Sequence, residues 1–204
     1  MRDCWYSDNR DLVKWATLIH LADASKIKTI FQVAFYRPAQ RPLELLMNRI
    51  TIPFPGVVLG HFRDVGQIRN LARDAHLRIK VFKHPFDGCR EVYFRKLLAA
   101  LGRLHNEKLI AFFDPDTGIA PDRHTLEHVL PGELGAVFQR LKPRDCLVLY
   151  QHRQRRRDWI THNRRRFAYA LDLPLHKVKT FSSPELAPDV VLFAAEKEPG
   201  NCEA

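Results

Sequence analysis

The chain has 204 residues, a formal net charge of +10 and a pI near 9.7. This length suits one domain, which we place at residues 1–197, followed by a flexible tail at residues 198–204. No apolar run approaches the roughly 18 residues that a membrane span needs, and the N-terminus lacks the pattern of a secretory signal. We therefore expect a cytoplasmic protein without a membrane partner.

The first half of the chain contains two clear elements and one irregular stretch. Asp8 is placed as the N-cap of a helix, because apolar residues at helical spacing follow it: Leu12, Trp15, Ile19 and Ala22. Residues 28–36 are β-branched and aromatic and predict a strand. Residues 38–60 are rich in proline and glycine, so we interpret them as an irregular excursion.

From residue 64 onward, helices and strands alternate. Helices are predicted at 64–75, 91–105 and 132–141, and strands at 77–82, 108–113 and 146–150. A basic amphipathic helix follows, with Trp159, Ile160, Phe167 and Leu171 on its apolar face and six arginines largely on its other faces: Arg155, Arg156, Arg157, Arg164, Arg165 and Arg166. Residues 178–181 and 190–194 predict an antiparallel pair. The predicted fold is α/β: a three-layer, Rossmann-like arrangement of a mostly parallel sheet with an antiparallel C-terminal strand pair.

The positive charge is concentrated in one part of the chain. Between Arg140 and Arg166 there are ten Arg or Lys residues and only two acids, Asp145 and Asp158. Such a field attracts polyanions, so we expect a nucleic-acid partner, in particular double-stranded DNA. A well-solvated basic surface and attraction to anionic lipid are the alternatives.

An acid-bearing turn follows the predicted strand at 108–113. Asp114-Pro115-Asp116-Thr117-Gly118 lies at the carboxyl edge of the sheet, where folds of this kind bind ligands. The turn residues proline and glycine would hold both carboxylates in defined directions. Asp114, with Asp116, is therefore a candidate general base. The alternative is that Asp114 only caps the turn and Asp116 is only solvated.

The next strand ends in a second polar group. If the two strands are neighbours, His152 lies close to the Asp114 turn and becomes a catalytic candidate that donates a hydrogen bond to a leaving base. Gln151 would read a base edge, and arginines would bind phosphates: Arg153, Arg155, Arg156, Arg157, Arg164, Arg165 and Arg166. Alternatively, His152 only satisfies a backbone carbonyl.

Further residues are candidates for a substrate pocket. This set consists of polar groups near the N-terminus, residues at the end of the predicted strand at 28–36 and one turn residue: Tyr6, Asp8, Asn9, Lys14, Tyr36, Arg37 and Thr117. Trp5 and Tyr36 could stack on bases or pack in the core. A Mg²⁺ site at Asp114, Asp116 and Asp122 is a further possibility, but no other recognisable ligand set supports it, so no metal is predicted.

Two stretches resemble class I methyltransferase-like folds, in particular bacterial ribosomal-RNA adenine-N6 methyltransferases. They are Tyr6-Ser-Asp-Asn-Arg-Asp-Leu-Val-Lys14 and Phe113-Asp-Pro-Asp-Thr-Gly118, the second in the place of that family's acidic catalytic turn. The resemblance implies S-adenosylmethionine as cofactor. The sequence from Ala34 to Arg41, however, has no glycine where that family has a glycine-rich cofactor loop, and Asp116-Thr117 replaces the family's Pro-Tyr.

A second resemblance is to uracil-DNA-glycosylase-like proteins, which place an Asp-Pro turn after one strand and a histidine motif after a later one. Asp114-Pro115 and Gln151-His152 are similar in kind. The expected function is a cofactor-independent enzyme that acts on a flipped nucleotide, foremost a DNA N-glycosylase in repair or in defence against foreign DNA. The alternatives are an S-adenosylmethionine-dependent base methyltransferase and a non-catalytic nucleic-acid-binding module.

Overall fold

The computed structural model describes residues 8–35, 44–47, 50–53, 68–87, 89–121 and 125–199. The helices in these ranges are α1 (Asn9–Ala24), α2 (Ile68–Asp74), α3 (Arg90–Gly102), α4 (Pro131–Arg140), α5 (Trp159–Ala170) and a short 3-10 helix (Leu175–Lys177). The strands are β1 (Thr29–Val33), β2 (Glu44–Met47), β3 (Ile50–Pro53), β4 (Arg78–Phe82), β5 (Leu109–Phe113), β6 (Gly118–Ile119), β7 (His128–Val129), β8 (Cys146–His152), β9 (Lys179–Phe181) and β10 (Val190–Glu196).

The main sheet has the strand order β4-β1-β5-β8-β10-β9. The first four strands are parallel, and β10 runs antiparallel to both β8 and β9. The predicted α/β fold with a mostly parallel sheet and an antiparallel C-terminal strand pair is therefore confirmed. Chain order reverses between β1 and β5, and such a switch point leaves a crevice at the carboxyl ends of the strands.

Apolar side chains on both faces of the sheet give the molecule three layers. Along β5, Leu109, Ala111 and Phe113 face one core, and Ile110 and Phe112 face the other. The first core includes side chains of α3, α4 and α5: Leu97, Val137 and Phe167. The second core includes residues of α1 and α2: Leu18 and Leu71. A strand with both faces covered has a continuous apolar sequence, as in β5.

The structure changes several predicted boundaries. Residues 38–60, predicted to be irregular, contain the antiparallel pair β2–β3. The short parallel pair β6–β7 was not predicted. The predicted helix at 91–105 ends at Gly102, and α5 begins only at Trp159. Within the described ranges, no helix is long and apolar enough to cross a bilayer.

Candidate functional site

A cleft of about 290 Å³ opens at the carboxyl edge of the sheet, where β5 and β8 end. This volume lies near the lower end of the roughly 300 to 1,000 Å³ typical of ligand pockets. The lining residues come from the start of α1, the turn after β5, the segment before β7 and the end of β8: Asp8, Arg10, Lys14, Asp114, Pro115, Asp116, Thr117, Glu127, Tyr150 and His152. The fold thus brings six of the predicted site residues together in this cleft: Asp8, Lys14, Asp114, Asp116, Thr117 and His152.

A buried ion cluster forms the floor of the cleft. Lys14 Nζ lies 3.0 Å from Asp11 Oδ1 and 2.9 Å from Asp114 Oδ1. Gln32 Nε2 donates a hydrogen bond to Asp114 Oδ2 at 3.0 Å. Lys14 Nζ also lies 4.4 Å from the centre of the Tyr150 ring. Since these side chains are all buried, the cluster connects α1, β1, β5 and β8 beneath the cleft.

The cluster shifts two pKa values. Burial alone lowers the pKa of Lys14, but the charges of Asp114 and Asp11 outweigh it, and the pKa lies above its ordinary value. Lys14 is therefore a cation at neutral pH. Burial raises the pKa of the Tyr150 phenol, with Lys14 opposing and Asp114 adding to the shift. Tyr150 therefore keeps its proton and can donate a hydrogen bond at the cleft wall.

Asp114 lies where the sequence places it, directly after β5, and its backbone N–H donates to Val33 O at 3.0 Å. Its two carboxylate oxygens face Lys14 and Gln32. A general base needs an oxygen directed at the substrate. Asp114 is therefore better placed to anchor the floor than to act as a base, and the half-buried Asp116 in the same turn also lines the cleft.

Thr117 is held in place from two sides. Its hydroxyl donates to Glu127 O at 2.8 Å, and its backbone N–H donates to the same oxygen at 3.1 Å. Its carbonyl accepts from Gln151 Nε2 at 2.9 Å and from the His152 N–H at 3.1 Å. The acidic turn after β5 is therefore joined both to the end of β8 and to the segment before β7.

The prediction that Gln151 reads a base edge is contradicted by its burial. Its side chain is 0% exposed, and its amide bonds the protein itself. Oε1 accepts from Ile119 N at 2.9 Å, and Nε2 donates to His152 O at 2.8 Å as well as to Thr117 O. Gln151 therefore fixes the turn instead of contacting nucleic acid.

His152 extends from the end of β8 to the cleft. The prediction that adjacent strands bring it near the acidic turn is confirmed, because β5 and β8 are parallel neighbours and both Asp114 and His152 line the cleft. His152 Nε2 lies 2.9 Å from Asp189 Oδ2, and the side chain is 33% exposed. Its side chain thus contacts a carboxylate, whereas the alternative interpretation assigned it to a backbone carbonyl.

Asp189 also binds Arg10. The guanidinium donates to Asp189 Oδ2 from Nη2 at 2.7 Å and from Nε at 3.2 Å. The hydrogen bond from Arg10 is the main reason why the pKa of Asp189 lies below its ordinary value, and the same bond raises the pKa of Arg10. Asp189 is therefore an anion that faces both Arg10 and His152.

Four exposed arginines follow β8, and we call Arg153, Arg155, Arg156 and Arg157 the arginine rim. They line a wider depression of about 570 Å³ that also includes His152 and Asp189. Arg156 is paired with Asp158, with 2.8 Å between Nε and Oδ1. The rim belongs to the segment before α5, which begins at Trp159. This corrects the prediction that Arg155, Arg156 and Arg157 lie on the helix.

The three arginines of α5 differ from the rim. Arg164 donates to Val178 O at 2.7 Å and to Leu175 O at 3.1 Å, so it connects α5 to the 3-10 helix. Arg166 donates to Ala120 O. Arg164 and Arg166 therefore bond the protein itself, which corrects the prediction that they bind phosphates. Of the three arginines, only Arg165 is exposed.

Three of the residues predicted for a substrate pocket line the cleft, namely Asp8, Lys14 and Thr117. Asp8 is the N-cap of α1, as predicted, and accepts from the N–H groups of Arg10 and Asp11. Asn9 is exposed and does not line the cleft, whereas Lys14 lies in its floor. Other predicted residues lie outside the described ranges: Trp5, Tyr6, Tyr36, Arg37 and Asp122. Among the described residues, no group of three or more His, Cys, Asp or Glu is arranged to hold a metal ion.

The sequence analysis missed Arg10, Gln32, Glu127 and Asp189. A local signal exists for Gln32, which is a polar residue inside an apolar strand. Asp189 has no such signal, because only the pairing of β10 with β8 brings it to His152.

The fold and site define an α/β protein with a carboxylate-lined cleft beside a basic surface. Comparison with protein-family models, with curated proteins and with solved structures gave no match to this chain. The function is therefore argued from the site itself.

Proposed function

We propose that this protein is a nucleic-acid-processing enzyme that takes one flipped nucleotide into the cleft and holds the flanking phosphates on the arginine rim. The observation that carries this proposal is that the cleft and the rim meet at His152, which lines both depressions. A volume of about 290 Å³ suits a single nucleoside better than a longer segment of nucleic acid.

The charges favour this orientation of the nucleic acid. The cleft lining includes four carboxylates, from Asp8, Asp114, Asp116 and Glu127, against two cations, Arg10 and Lys14. Such a lining repels a phosphate but accepts hydrogen bonds from the N–H and O–H groups of a base and sugar. The rim has the opposite charge and suits the phosphates outside the cleft.

For the reaction we propose hydrolysis of the N-glycosidic bond without a cofactor. A water oxygen bonds to C1′ of the sugar as the bond from C1′ to the base breaks, and that electron pair goes to the base nitrogen. Protonated His152 donates a proton to the leaving base, and Asp116 takes the proton of the attacking water. Solvent then returns that proton to His152, so that water is consumed and a free base and an abasic sugar are released.

Methyl transfer to a base from S-adenosylmethionine is the second candidate. The order β4-β1-β5-β8-β10-β9, with the antiparallel strand second from the edge and an acidic turn after β5, supports the resemblance to class I methyltransferases. Phe35, two residues after β1, is buried against Phe86 and Tyr93, and the residues that follow it, where that family has its cofactor loop, lie outside the described ranges. We therefore derive no step through it.

The first prediction concerns turnover. Purified protein is incubated with chelator and without S-adenosylmethionine on ordinary and base-modified duplex DNA, and mild alkali then cleaves any abasic sites. We expect alkali-dependent cleavage that falls about 10²-fold or more in Asp116→Asn and in His152→Gln, because each removes a proton-transfer group. The exposed controls Asp74→Asn and His176→Gln are expected to cleave like the wild type.

Other results of this experiment separate the alternatives. Intact DNA with every substrate would refute the glycosylase proposal. Transfer of labelled methyl groups from S-adenosylmethionine would then support the second candidate. Binding without either reaction would leave a nucleic-acid-binding module.

The second prediction concerns the arginine rim. Replacing Arg153, Arg155 and Arg157 together by alanine should weaken binding to a short DNA duplex and lower the slope of log Kd against log salt by about 1 for each phosphate that the variant no longer binds. The control replaces three exposed arginines elsewhere, Arg73, Arg95 and Arg103, and removes the same charge. Equal weakening in both triple variants would show that net charge, and not the rim, binds DNA.

A further inference from the structure

His152 has a fixed partner on one ring nitrogen. Its Nε2 lies 2.9 Å from Asp189 Oδ2. A carboxylate only accepts hydrogen bonds, so the proton of this contact sits on Nε2 in both the neutral and the protonated ring. In the neutral ring the lone pair is then on Nδ1, and this is the nitrogen left to gain or lose a proton.

Asp189, the partner of His152, is itself held in place by neighbouring groups. Arg10 donates to Asp189 through both Nη2 and Nε, and Arg10 Nη1 lies 3.2 Å from Oδ2 of the N-cap residue Asp8. From the other side, the Asp189 carbonyl accepts from the Arg153 N–H at 2.8 Å. Because Val190 pairs with His152 in the sheet, Asp189 comes directly beside the ring. The carboxylate is thus directed by α1, by β10 and by the start of the arginine rim.

We propose that Asp189, oriented by Arg10, is a positioning residue that fixes the tautomer of His152 and makes Nδ1 the nitrogen that exchanges protons with a ligand in the cleft. The reaction served by that exchange rests on the proposed function, whereas the tautomer is a property of the free protein. A histidine that holds its proton on the wrong nitrogen loses most of its value as an acid or base.

The test observes the ring directly. Long-range ¹H–¹⁵N spectra of the ¹⁵N-labelled full chain report which nitrogen of each neutral histidine carries the proton, and His152→Gln identifies the resonances of His152. We expect protonated Nε2 and unprotonated Nδ1 in the wild type, a mixture of tautomers in Asp189→Ala and Asp189→Asn, and a partial change in Arg10→Met. Asp74→Asn removes another carboxylate paired with an arginine and should leave the wild-type pattern.

Two variants at residue 189 keep the test independent of a folding defect, because asparagine retains the shape of aspartate. A proton on Nδ1 in the wild type, or an unchanged pattern in folded Asp189→Ala and Asp189→Asn, would overturn the assignment. Where DNA is cleaved, Asp189→Ala should lower kcat about 10 to 100-fold with little change in KM, and an unchanged kcat would also overturn it. If the wild type shows the expected tautomer but processes no DNA, the proposed function is refuted and the tautomer assignment stands.

Discussion

Replacing Lys14 with methionine is expected to lower the free energy of unfolding by about 3 to 5 kcal/mol, the usual effect of removing one partner of a buried ion pair. Methionine fills a similar volume, so the loss is mainly electrostatic. Asp11 and Asp114 would remain buried without the cation that lies about 3 Å from each of them, at 3.0 and 2.9 Å. Urea denaturation at neutral pH measures the change.

Two further variants make this result specific. Lys28→Met removes an exposed lysine and should change stability by less than about 0.5 kcal/mol. Adding Asp114→Asn to Lys14→Met should recover part of the loss, because it removes one of the uncompensated charges. A Lys14→Met protein as stable as the wild type would show that the cluster does not stabilise the fold.

The pH dependence follows from the sign of the Lys14 shift. The folded pKa lies above the ordinary value, because Asp114 and Asp11 outweigh the effect of burial. Stability from such a group is fully present below the unfolded pKa of about 10.4 and is lost as pH rises through the folded pKa. The contribution of Lys14 to the free energy of unfolding should therefore stay constant between about pH 7 and 9.

Replacing Gly118 with alanine is expected to lower the free energy of unfolding by about 1 to 3 kcal/mol and to impair the cleft. Gly118 has φ +105°, and an added Cβ would lie 2.3 Å from Gln151 Oε1. Gln151 cannot withdraw easily, because it is fully buried and its amide bonds Thr117, Ile119 and His152. Urea denaturation and DNA cleavage are the measurements.

The matched control is Gly102→Ala at the end of α3, where an added Cβ has no atom within 4 Å. This change should leave stability equal or raise it by up to about 1 kcal/mol, since alanine favours the helix. In Gly118→Ala with Gln151→Ala the clash disappears, so the combined loss should be smaller than the sum of the single losses. Additive losses would show that the close approach is not what makes Gly118 necessary.

Local sequence predicted much of the scaffold. The Asp8 N-cap, the buried strand β5 and the turn at Asp114 each depend on a few consecutive residues, and their patterns were sufficient. The pair β2–β3 was missed, because proline and glycine in the surrounding segment mask a short strand pair. The start of α5 was placed too early, because charged residues before a helix resemble those on its exposed face.

The roles of polar side chains were predicted less well than their positions. Gln151 and Arg164 were assigned to nucleic acid because of their residue types, but both bond the protein itself. Amides and guanidiniums suit base edges and phosphates as well as they suit backbone carbonyls. Which partner they meet depends on the neighbouring chain, and no local pattern contains that information.

The sequence by itself determined the α/β class, the basic character and the carboxyl-edge location of Asp114 and His152, because these follow from composition and from patterns a few residues long. Tertiary structure alone decided that Asp114 faces Lys14, that Gln151 is buried and that Asp189 faces His152. These contacts join residues far apart in the chain: Asp189 meets Arg10 across a separation of 179 residues. Sheet order and register set such contacts, since they decide which side chains share one edge.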